Sequence, residues 1–199
     1  MCEIETVVFD MGGVLVELGP FAEVLGDGWQ DDAEFWERWL ASPLVRDLDA
    51  GRIAPLEFCT RLVSDLGLPV AGSDMLERLR QWPKGLLSGA EEMIRSLDGV
   101  VQTAILSNTS ALHWETQIDS EKIQALFPCR YLSYELGMTK PDAEIFEHVV
   151  EDLGVEPGAV LFLDDNQVNV DAACAVGMQA QRCVGVPDAT AALATHGVI

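Results

Sequence analysis

A short apolar run near the N-terminus ends on a carboxylate and is followed at once by two glycines. The run is Thr6–Phe9, the carboxylate is Asp10 and the glycines are Gly12 and Gly13. A buried parallel strand that carries Asp at its carboxyl end places this side chain where open α/β sheets bind their ligands. Asp10 is therefore a candidate nucleophile and a candidate metal ligand.

Two adjacent carboxylates, Asp164 and Asp165, follow a second apolar run, Val160–Leu163. Like charges this close disfavour each other unless a cation compensates them. Carboxylate oxygens are also the ligands that Mg²⁺ binds in proteins. The pair therefore indicates a divalent metal, whereas an acidic start of a helix is the alternative interpretation.

A hydroxyl, an amide and an ammonium stand at two further places where an anion can be held. Ser107 and Asn108 end an apolar run and open a helix, whose free N–H groups favour a phosphate, although both residue types are also common helix caps. Lys140 lies directly before Pro141, which favours an extended backbone. A lysine there suits a phosphoryl group as a point charge, with a solvated surface lysine as the alternative.

The charge of the chain restricts its partners. The 199 residues include 33 acidic and only 12 basic side chains, for a net charge of −21. Such a surface repels the phosphates of nucleic acid, so we expect no nucleic-acid partner. An anionic substrate then needs a local cation, which a divalent metal and one lysine would supply. Adaptation to high salt is a further hypothesis for so acidic a surface.

Hydropathy and cysteine content indicate the cellular compartment in which we expect the protein. No apolar run reaches the roughly 20 residues of a membrane span, and the N-terminus lacks a basic region followed by an apolar one. We expect a cytoplasmic protein with no membrane partner, and the sequence leaves its oligomeric state open. The five cysteines are odd in number and lack CxxC or His-paired spacing, which favours reduced thiols over disulfides or zinc.

The hydrophobic pattern alternates between strands and helices. Five short apolar runs predict strands that are covered on both faces. They are Ile4–Phe9, Val100–Leu106, Arg130–Ser133, Val160–Leu163 and Ala180–Val184. Amphipathic helices lie between them, so the pattern predicts an α/β fold with a doubly wound, mostly parallel, Rossmann-like sheet.

Residues 18–83 interrupt this alternation with helical stripes and no strand. We predict a small all-helical cap domain over 18–83, inserted after the first strand, and a core domain formed by 1–17 and 84–199. Gly19-Pro20 and Pro83–Gly85 are interpreted as the linkers. Such a cap would cover the first carboxylate and exclude water during chemistry. The cap side chains that helix spacing allows to reach the pocket are Trp36, Trp39, Arg46 and Asp49.

Together, in this order and spacing, the four polar segments resemble motifs I to IV of the haloacid dehalogenase (HAD) superfamily over nearly the whole chain. The resemblance is closest to the branch with a small helical cap, and within it to bacterial sugar-phosphate phosphatases of the α-glucose-1-phosphate type. The similar blocks are Ser107–His113, Leu136–Pro141 and Asp164–Asn169. One position departs from the superfamily pattern: its phosphatases carry a second Asp, the general acid/base, where this chain and several members of the group have glycine, here Gly12.

The resemblance implies a Mg²⁺-dependent phosphatase that acts on a small phosphorylated metabolite, such as a sugar 1-phosphate. It implies that Asp10 attacks phosphorus and forms an aspartyl-phosphate, while Lys140 offsets the charge between Asp10 and the phosphate. The implied metal ligands are Asp10, the backbone carbonyl of Gly12 and Asp165, with Asp164 close by or acting through water. The implied phosphate contacts are Ser107 and the backbone amide of Asn108.

Three more residues are candidates for supporting roles. Asn169 follows Asp165 by one helical turn and either orients the acidic cluster or is exposed. His113 lies about one turn into the helix after Ser107, where it either replaces the missing proton carrier, contacts substrate or occupies a helix face. Arg46 is the cap residue best suited to contact an anion.

The glycine at position 12 leaves alternatives open. General acid–base catalysis is typically worth about 10² to 10⁴ in rate, so its absence favours good leaving groups such as those of sugar 1-phosphates, acyl phosphates and aryl phosphates. One alternative is a metal-independent 2-haloacid dehalogenase with the same Asp nucleophile, which the Asp164-Asp165 pair disfavours. The other is a catalytically impaired protein that binds a phosphorylated ligand or a partner.

Overall fold

The computed structural model describes residues 3–26, 32–116 and 119–199. Within these ranges five strands form a parallel sheet in the order β5-β4-β1-β6-β7, and two strands form an antiparallel pair. The strands are β1 (Thr6–Phe9), β2 (Val16–Leu18), β3 (Pro83–Leu86), β4 (Gln102–Ser107), β5 (Cys129–Leu132), β6 (Val160–Asp164) and β7 (Gln179–Arg182). The predicted α/β fold is confirmed, and the five predicted strands differ from those of the sheet by at most two residues at either end.

The helices before β4 are α1 (Phe21–Leu25), α2 (Asp32–Ala41), α3 (Pro43–Asp49), α4 (Pro55–Leu66), α5 (Gly72–Arg80) and α6 (Ala90–Arg95). Those after β4 are α7 (Ala111–Thr116), α8 (Ser120–Leu126), α9 (Ser133–Leu136), α10 (Ala143–Leu153), α11 (Gln167–Ala175) and α12 (Gly185–Thr195). None of the helices within the described ranges combines the length and apolar character that crossing a membrane requires.

Both faces of the parallel sheet are covered by helices. On β1, Val7 and Phe9 pack into one apolar cluster, with side chains of α6, α8 and α12, whereas Val8 packs into another with α10 and α11. Strand side chains alternate between faces, so burial on both sides requires an apolar residue at nearly every position. This requirement explains why the strands read as continuous apolar runs in the sequence.

The three middle strands end side by side at one edge of the sheet. Phe9, the last residue of β1, lies opposite Ile105 of β4 and Leu163 of β6. The residues that follow these positions on the three neighbouring strands therefore share that edge. The chain order reverses at β1, and ligands bind open α/β sheets at such a switch point.

Helices α1 to α5 lie between β2 and β3, and we call residues 21–80 the five-helix insert. Its interior is an apolar cluster of its own, in which the Phe21 ring packs against Trp39 and Trp82 at centroid distances of 5.9 and 4.8 Å. Leu112 of α7 also belongs to this cluster and connects it to the core. The division into two domains at residues 17/18 and 83/84 stays a prediction.

The segments that flank the insert are joined to each other. β2 and β3 pair in an antiparallel manner, with Val16 opposite Leu86. Beyond them, the Trp82 Nε1–H donates a hydrogen bond to the Gly19 carbonyl at 2.6 Å, and the Gly19 N–H donates to the Trp82 carbonyl at 3.0 Å. Pro83–Gly85 therefore lies in a paired strand and not in a loop, while its role as the link between two domains stays a prediction. A short strand that contains Pro and Gly lacks the apolar run by which the other strands were predicted.

The cysteines of the described residues, Cys59, Cys129, Cys174 and Cys183, are free thiols, and Cys2 lies outside the described ranges.

Candidate active site

The Lys140 ammonium lies between two carboxylates at the edge where the middle strands end. Its Nζ donates to Asp10 Oδ1 and to Asp164 Oδ2, both at 2.7 Å, and to the Leu106 carbonyl at 3.0 Å. Its side chain is 1% exposed. Burial alone would lower the pKa of Lys140, but the charges of Asp10 and Asp164 outweigh burial and raise it. The ammonium therefore stays protonated and is fixed in position.

Two pairs of hydrogen bonds hold the segments around Lys140 together. The Asn108 Nδ2 donates to the Lys140 carbonyl, and the Lys140 backbone N–H donates to Asn108 Oδ1, both at 2.9 Å. The Thr109 N–H donates to Ser133 Oγ at 2.9 Å, and this hydroxyl donates to the Thr109 carbonyl at 3.0 Å. Ser133 was not a sequence candidate, because a single serine after a strand carries no motif.

The Asp164 carboxylate is fully buried, and both of its oxygens accept hydrogen bonds. Its Oδ1 accepts from the Asn166 N–H at 2.8 Å, and Asn169 Nδ2 lies 3.0 Å from both of its oxygens. The remaining bond is the one from Lys140. The structure thus brings Asn169, the residue expected to orient the acidic pair, onto Asp164.

Asp165 packs against the turn after β1. A Cβ on Gly13 would lie 2.4 Å from Asp165 Oδ2, and Gly13 has a φ of 73°, so only glycine fits there. Apart from its own backbone N–H, the carboxylate of Asp165 has no hydrogen-bond donor among the described residues. Burial and then the charge of Asp164 raise its pKa. Of the acidic pair, Asp165 is the carboxylate with free oxygens.

Asp10, Asp164 and Asp165 form the cluster of the described residues best suited to a metal ion. Each offers an oxygen, and these oxygens all lie within 4.8 Å of one another. Burial raises the pKa of Asp10, the Lys140 charge opposes this, and the two neighbouring carboxylates raise it further. One ammonium does not balance three carboxylates, and hard oxygen donors at this spacing fit Mg²⁺.

A cavity of about 880 Å³ opens above these carboxylates, between the sheet edge and the five-helix insert. Apart from the buried Asp164, the predicted site residues all line it: Asp10, Gly12, Arg46, Ser107, Asn108, His113, Lys140, Asp165 and Asn169. The structure therefore brings these residues to one place, and their individual roles stay predictions.

The insert contributes an apolar wall to this cavity. The apolar side chains of the insert and its flanks that line it include Leu18, Trp36, Trp39, Val45 and Trp82. Two more lining residues are exposed apolar side chains, Leu40 of the insert at 61% and Val168 of α11 at 58%. The cavity thus combines a charged floor with a largely apolar wall.

His113 lies in this cavity as a neutral imidazole. Burial lowers its pKa to about 4, and a hydrogen bond with the Leu79 backbone acts in the opposite direction. Its Nε2 is buried without a hydrogen-bond partner among the described residues, and its ring centroid lies 5.8 Å from that of Trp82. This environment does not favour the proton carrier among the alternatives for His113.

Two charged residues of α3 also line the cavity. The Arg46 guanidinium forms an ion pair with the Asp142 carboxylate of the core, so it connects insert and core rather than standing free for an anion. Asp49, at the end of α3, is partly buried. Helix spacing had marked both residues together with Trp36 and Trp39, and all four line the cavity.

Known proteins resemble this chain over most of its length. The chain is 32% identical over 186 residues to a sesquiterpene phosphatase of Aspergillus oryzae. The matched region covers 89% of this chain and 89% of that protein. It is 27% identical to a D-ribitol-5-phosphate phosphatase of Bacteroides thetaiotaomicron over 84% of this chain and 85% of that protein. The crystal structure of a HAD family enzyme from Bacteroides thetaiotaomicron, in complex with magnesium and inorganic phosphate, has a TM-score of 0.73 at 26% identity and covers 90% of this chain and 93% of that one.

The family model of the haloacid dehalogenase-like hydrolases matches residues 4–177. This range begins just before β1 and ends just after α11, so it holds all the predicted site residues. The resemblance inferred from the sequence motifs is confirmed, and with it the prediction of a hydrolase. The chain belongs to the haloacid dehalogenase-like hydrolases.

Proposed function

We propose that the chain is a Mg²⁺-dependent phosphatase that cleaves phosphomonoesters of small metabolites through an aspartyl-phosphate on Asp10. The observation that carries the proposal is the Lys140 ammonium 2.7 Å from Asp10, beside a cluster of three carboxylates under a cavity. The phosphatases among the relatives support the same reaction class.

In this mechanism Asp10 attacks phosphorus and expels the alcohol oxygen of the substrate. The Lys140 ammonium lowers the repulsion between the Asp10 carboxylate and the phosphoryl oxygens, since both are negative. The Ser107 hydroxyl and the Asn108 backbone N–H bind phosphoryl oxygens. Water then attacks the aspartyl-phosphate, which regenerates Asp10 and releases inorganic phosphate.

The metal ligands are the carboxylates of Asp10 and Asp165 and the carbonyl of Gly12. When bound, Mg²⁺ neutralises part of the phosphoryl charge and orients the phosphate for in-line attack. Asp164 supports the site through Lys140 and Asn169, because four hydrogen bonds already occupy its two oxygens. The magnesium and phosphate in the related crystal structure support this metal.

The five-helix insert acts as the cap of this site. It supplies the apolar wall of the cavity, and α3 contacts the core through the Arg46–Asp142 ion pair. A closed cap excludes water, which strengthens the interactions of Lys140 with the phosphate and protects the aspartyl-phosphate.

Two substrate classes fit this proposal. The motif resemblance favours a sugar phosphate, and one relative is a phosphatase of D-ribitol 5-phosphate. The apolar wall, with the exposed Leu40 and Val168, favours instead an alcohol with an apolar body, such as an isoprenoid. A sesquiterpene phosphatase among the relatives supports this second class.

Phosphate release from a panel of phosphomonoesters, with and without Mg²⁺, tests the reaction. We expect metal-dependent turnover that Asp10→Asn abolishes, with the fold of the variant checked by its thermal melt. Halide release from 2-haloacids without metal would indicate a dehalogenase instead. No turnover of any substrate would support the binding role.

The kcat/KM for farnesyl phosphate, compared with that for glucose 1-phosphate, distinguishes the substrate classes. If the apolar wall binds the alcohol, Val168→Asn raises the KM for farnesyl phosphate and leaves that for glucose 1-phosphate unchanged. Equal effects on both substrates would contradict the apolar class.

A further inference from the structure

With Asp10 and Asp165 serving as nucleophile and metal ligands, the described residues on the floor of the cavity offer no further group suited to donate a proton to the leaving alcohol. Gly12 lacks a side chain. The Lys140 ammonium donates to three acceptors, and the pKa of Lys140 is raised. The neutral His113 has its Nε2 enclosed. An alkoxide is a poor leaving group unless it is protonated as the bond to phosphorus breaks. A donor is therefore needed from the opposite wall.

Asp49 is a carboxyl group on that wall. It is the last residue of α3 and lines the same cavity as Asp10 and Lys140. Among the described residues its side chain has no hydrogen-bond or salt-bridge partner. A partly buried carboxyl group without a structural partner is free to exchange a proton with a ligand.

The contacts of α3 hold Asp49 in place over the core. α3 packs against α9, which precedes the Lys140 segment. Two residues after Asp49, a Cβ on Gly51 would lie 2.6 Å from the Tyr134 carbonyl, so the backbones are in close contact there. One turn before Asp49, Arg46 pairs with Asp142. The C-terminal half of α3, which carries the carboxyl group, is thus held against the core.

The surroundings of Asp49 suit an acid that also acts as a base. Burial raises its pKa to about 7, and the charge of Lys140 is the opposing influence. Glu37 of α2 also lines the cavity, but it is exposed. The other charged groups on α3 and on the described parts of the helices packed against it are paired or exposed: Arg46 pairs with Asp142, Asp47 pairs with Arg52, Glu57 of α4 pairs with Arg61, Glu135 of α9 accepts from Tyr134, and Arg38 of α2 and Asp65 of α4 are exposed. Both protonation states are therefore accessible near neutral pH.

We propose that Asp49 is the general acid/base of this enzyme and replaces the carboxyl group missing at Gly12. The inference rests on the proposed phosphatase function. As Asp10 bonds to phosphorus and the P–O bond to the alcohol breaks, the Asp49 carboxylic acid gives its proton to the departing oxygen. The Asp49 carboxylate then takes a proton from the water that attacks phosphorus, the bond to Asp10 breaks, and inorganic phosphate leaves with Asp49 protonated again.

Substrates with different leaving groups distinguish a role of Asp49 as general acid from a purely structural role. 4-Nitrophenolate leaves without protonation, whereas a simple alkoxide does not. We therefore expect Asp49→Asn to lower kcat/KM for an alkyl phosphate by about 10²-fold or more, in line with general acid catalysis, and to leave that for 4-nitrophenyl phosphate nearly unchanged. In the wild type, kcat/KM for the alkyl ester falls as the pH rises above about 7, and this fall is absent from Asp49→Asn.

Two further variants complete the test. Asp47→Asn removes an exposed carboxylate of the same helix that pairs with Arg52, and it should leave both substrates unaffected. Gly12→Asp in the Asp49→Asn background should restore alkyl phosphate turnover, since a Cβ at Gly12 meets only the flexible Leu18 Cδ1, at 3.2 Å.

Three outcomes overturn parts of this picture separately. Equal losses on both substrates in Asp49→Asn, or no loss on either, overturn the role of Asp49 while the phosphatase function stands. Failure of Gly12→Asp to restore turnover also overturns it, provided that the double variant melts like the single one. A wild type that hydrolyses neither ester overturns the phosphatase function itself.

Discussion

The side chain of Asn108 and the backbone of Lys140 are joined by two reciprocal hydrogen bonds of 2.9 Å. They connect the turn after β4 with a segment 32 residues further along the chain. One amide thus satisfies a donor and an acceptor of the backbone that carries the ammonium. Because the Lys140 side chain starts from this backbone, the amide sets where the positive charge lies relative to Asp10.

Removal of this amide should therefore misplace the charge. We expect Asn108→Ala to lower kcat/KM on the order of 10²-fold, as small displacements of a catalytic group do, and to destabilise the fold by about 1–3 kcal/mol because two backbone groups lose their partners. Steady-state kinetics and chemical denaturation measure the two effects. Gln167→Ala, which removes an exposed amide that also lines the cavity, is the control. Unchanged kinetics in Asn108→Ala would contradict the positioning role.

Alanine substitutions at Gly13 and at Gly12 form a matched pair of variants that tests Asp165 as a metal ligand. Gly13→Ala forces a Cβ to within 2.4 Å of Asp165 Oδ2 and strains a backbone with φ of 73°, whereas the Cβ of Gly12→Ala meets only a flexible leucine. The positive φ alone costs roughly 1–2 kcal/mol. We expect Mg²⁺ affinity, measured by calorimetry, to fall at least about tenfold in Gly13→Ala, which corresponds to about 1.4 kcal/mol. Equal affinities in the two variants would argue against Asp165 as a ligand.

His113 should make the stability of the protein depend on pH. Burial lowers its pKa from 6.5 to about 4, so between these values the unfolded chain binds a proton that the folded chain does not. The free energy of unfolding therefore falls as the pH falls from about 6.5 to about 4, by up to about 3 kcal/mol. His113→Gln lacks this contribution, and urea denaturation across that range should give it a shallower pH dependence. Parallel curves for the two proteins would contradict the enclosed imidazole.

The net charge of −21 predicts a response to salt. If the surface is adapted to high salt, the urea midpoint rises between low and molar NaCl, because counterions screen the repulsion among carboxylates. Urea denaturation at several NaCl concentrations measures it. A midpoint that does not rise removes the hypothesis of salt adaptation.

The polar residues at the strand ends could be located from the sequence because a buried parallel strand appears there as a continuous apolar run. Its apolar run must stop where the ligand side begins, and the next residue is then conspicuous when it is polar. Asp10, Ser107 and Asp164 were found in this way, and the structure places all three at one edge. Lys140 follows no apolar run: its position before Pro141 suggested a contact with an anion, and the family resemblance supplied its expected role beside Asp10.

Contacts across the cavity cannot be recognised from the sequence in this way. Helix spacing put Asp49 among four insert residues able to reach the pocket, but the phase of a helix does not say which of them approaches Lys140. The pairing of β2 with β3 was missed for a related reason. Pro83 and Gly85 depart from strand preferences, and the paired residues are 65 to 70 positions apart in the chain. Ser133 acts only through Thr109, and such a contact is specified by the tertiary structure alone.

The hydrogen bonds between Gly19 and Trp82 make the insert begin and end at nearly one point. The whole insert is therefore connected to the parallel sheet in the way a hairpin loop would be. A shorter or longer insert could replace it without a change in the order or connections of the sheet strands. Substrate preference can change by such an exchange while Asp10, the proposed nucleophile after β1, and Lys140, in the segment between α9 and α10, stay in place. With Asp49 on the insert, however, a transplanted loop would also have to bring its own proton donor, unless position 12 regained a carboxyl group.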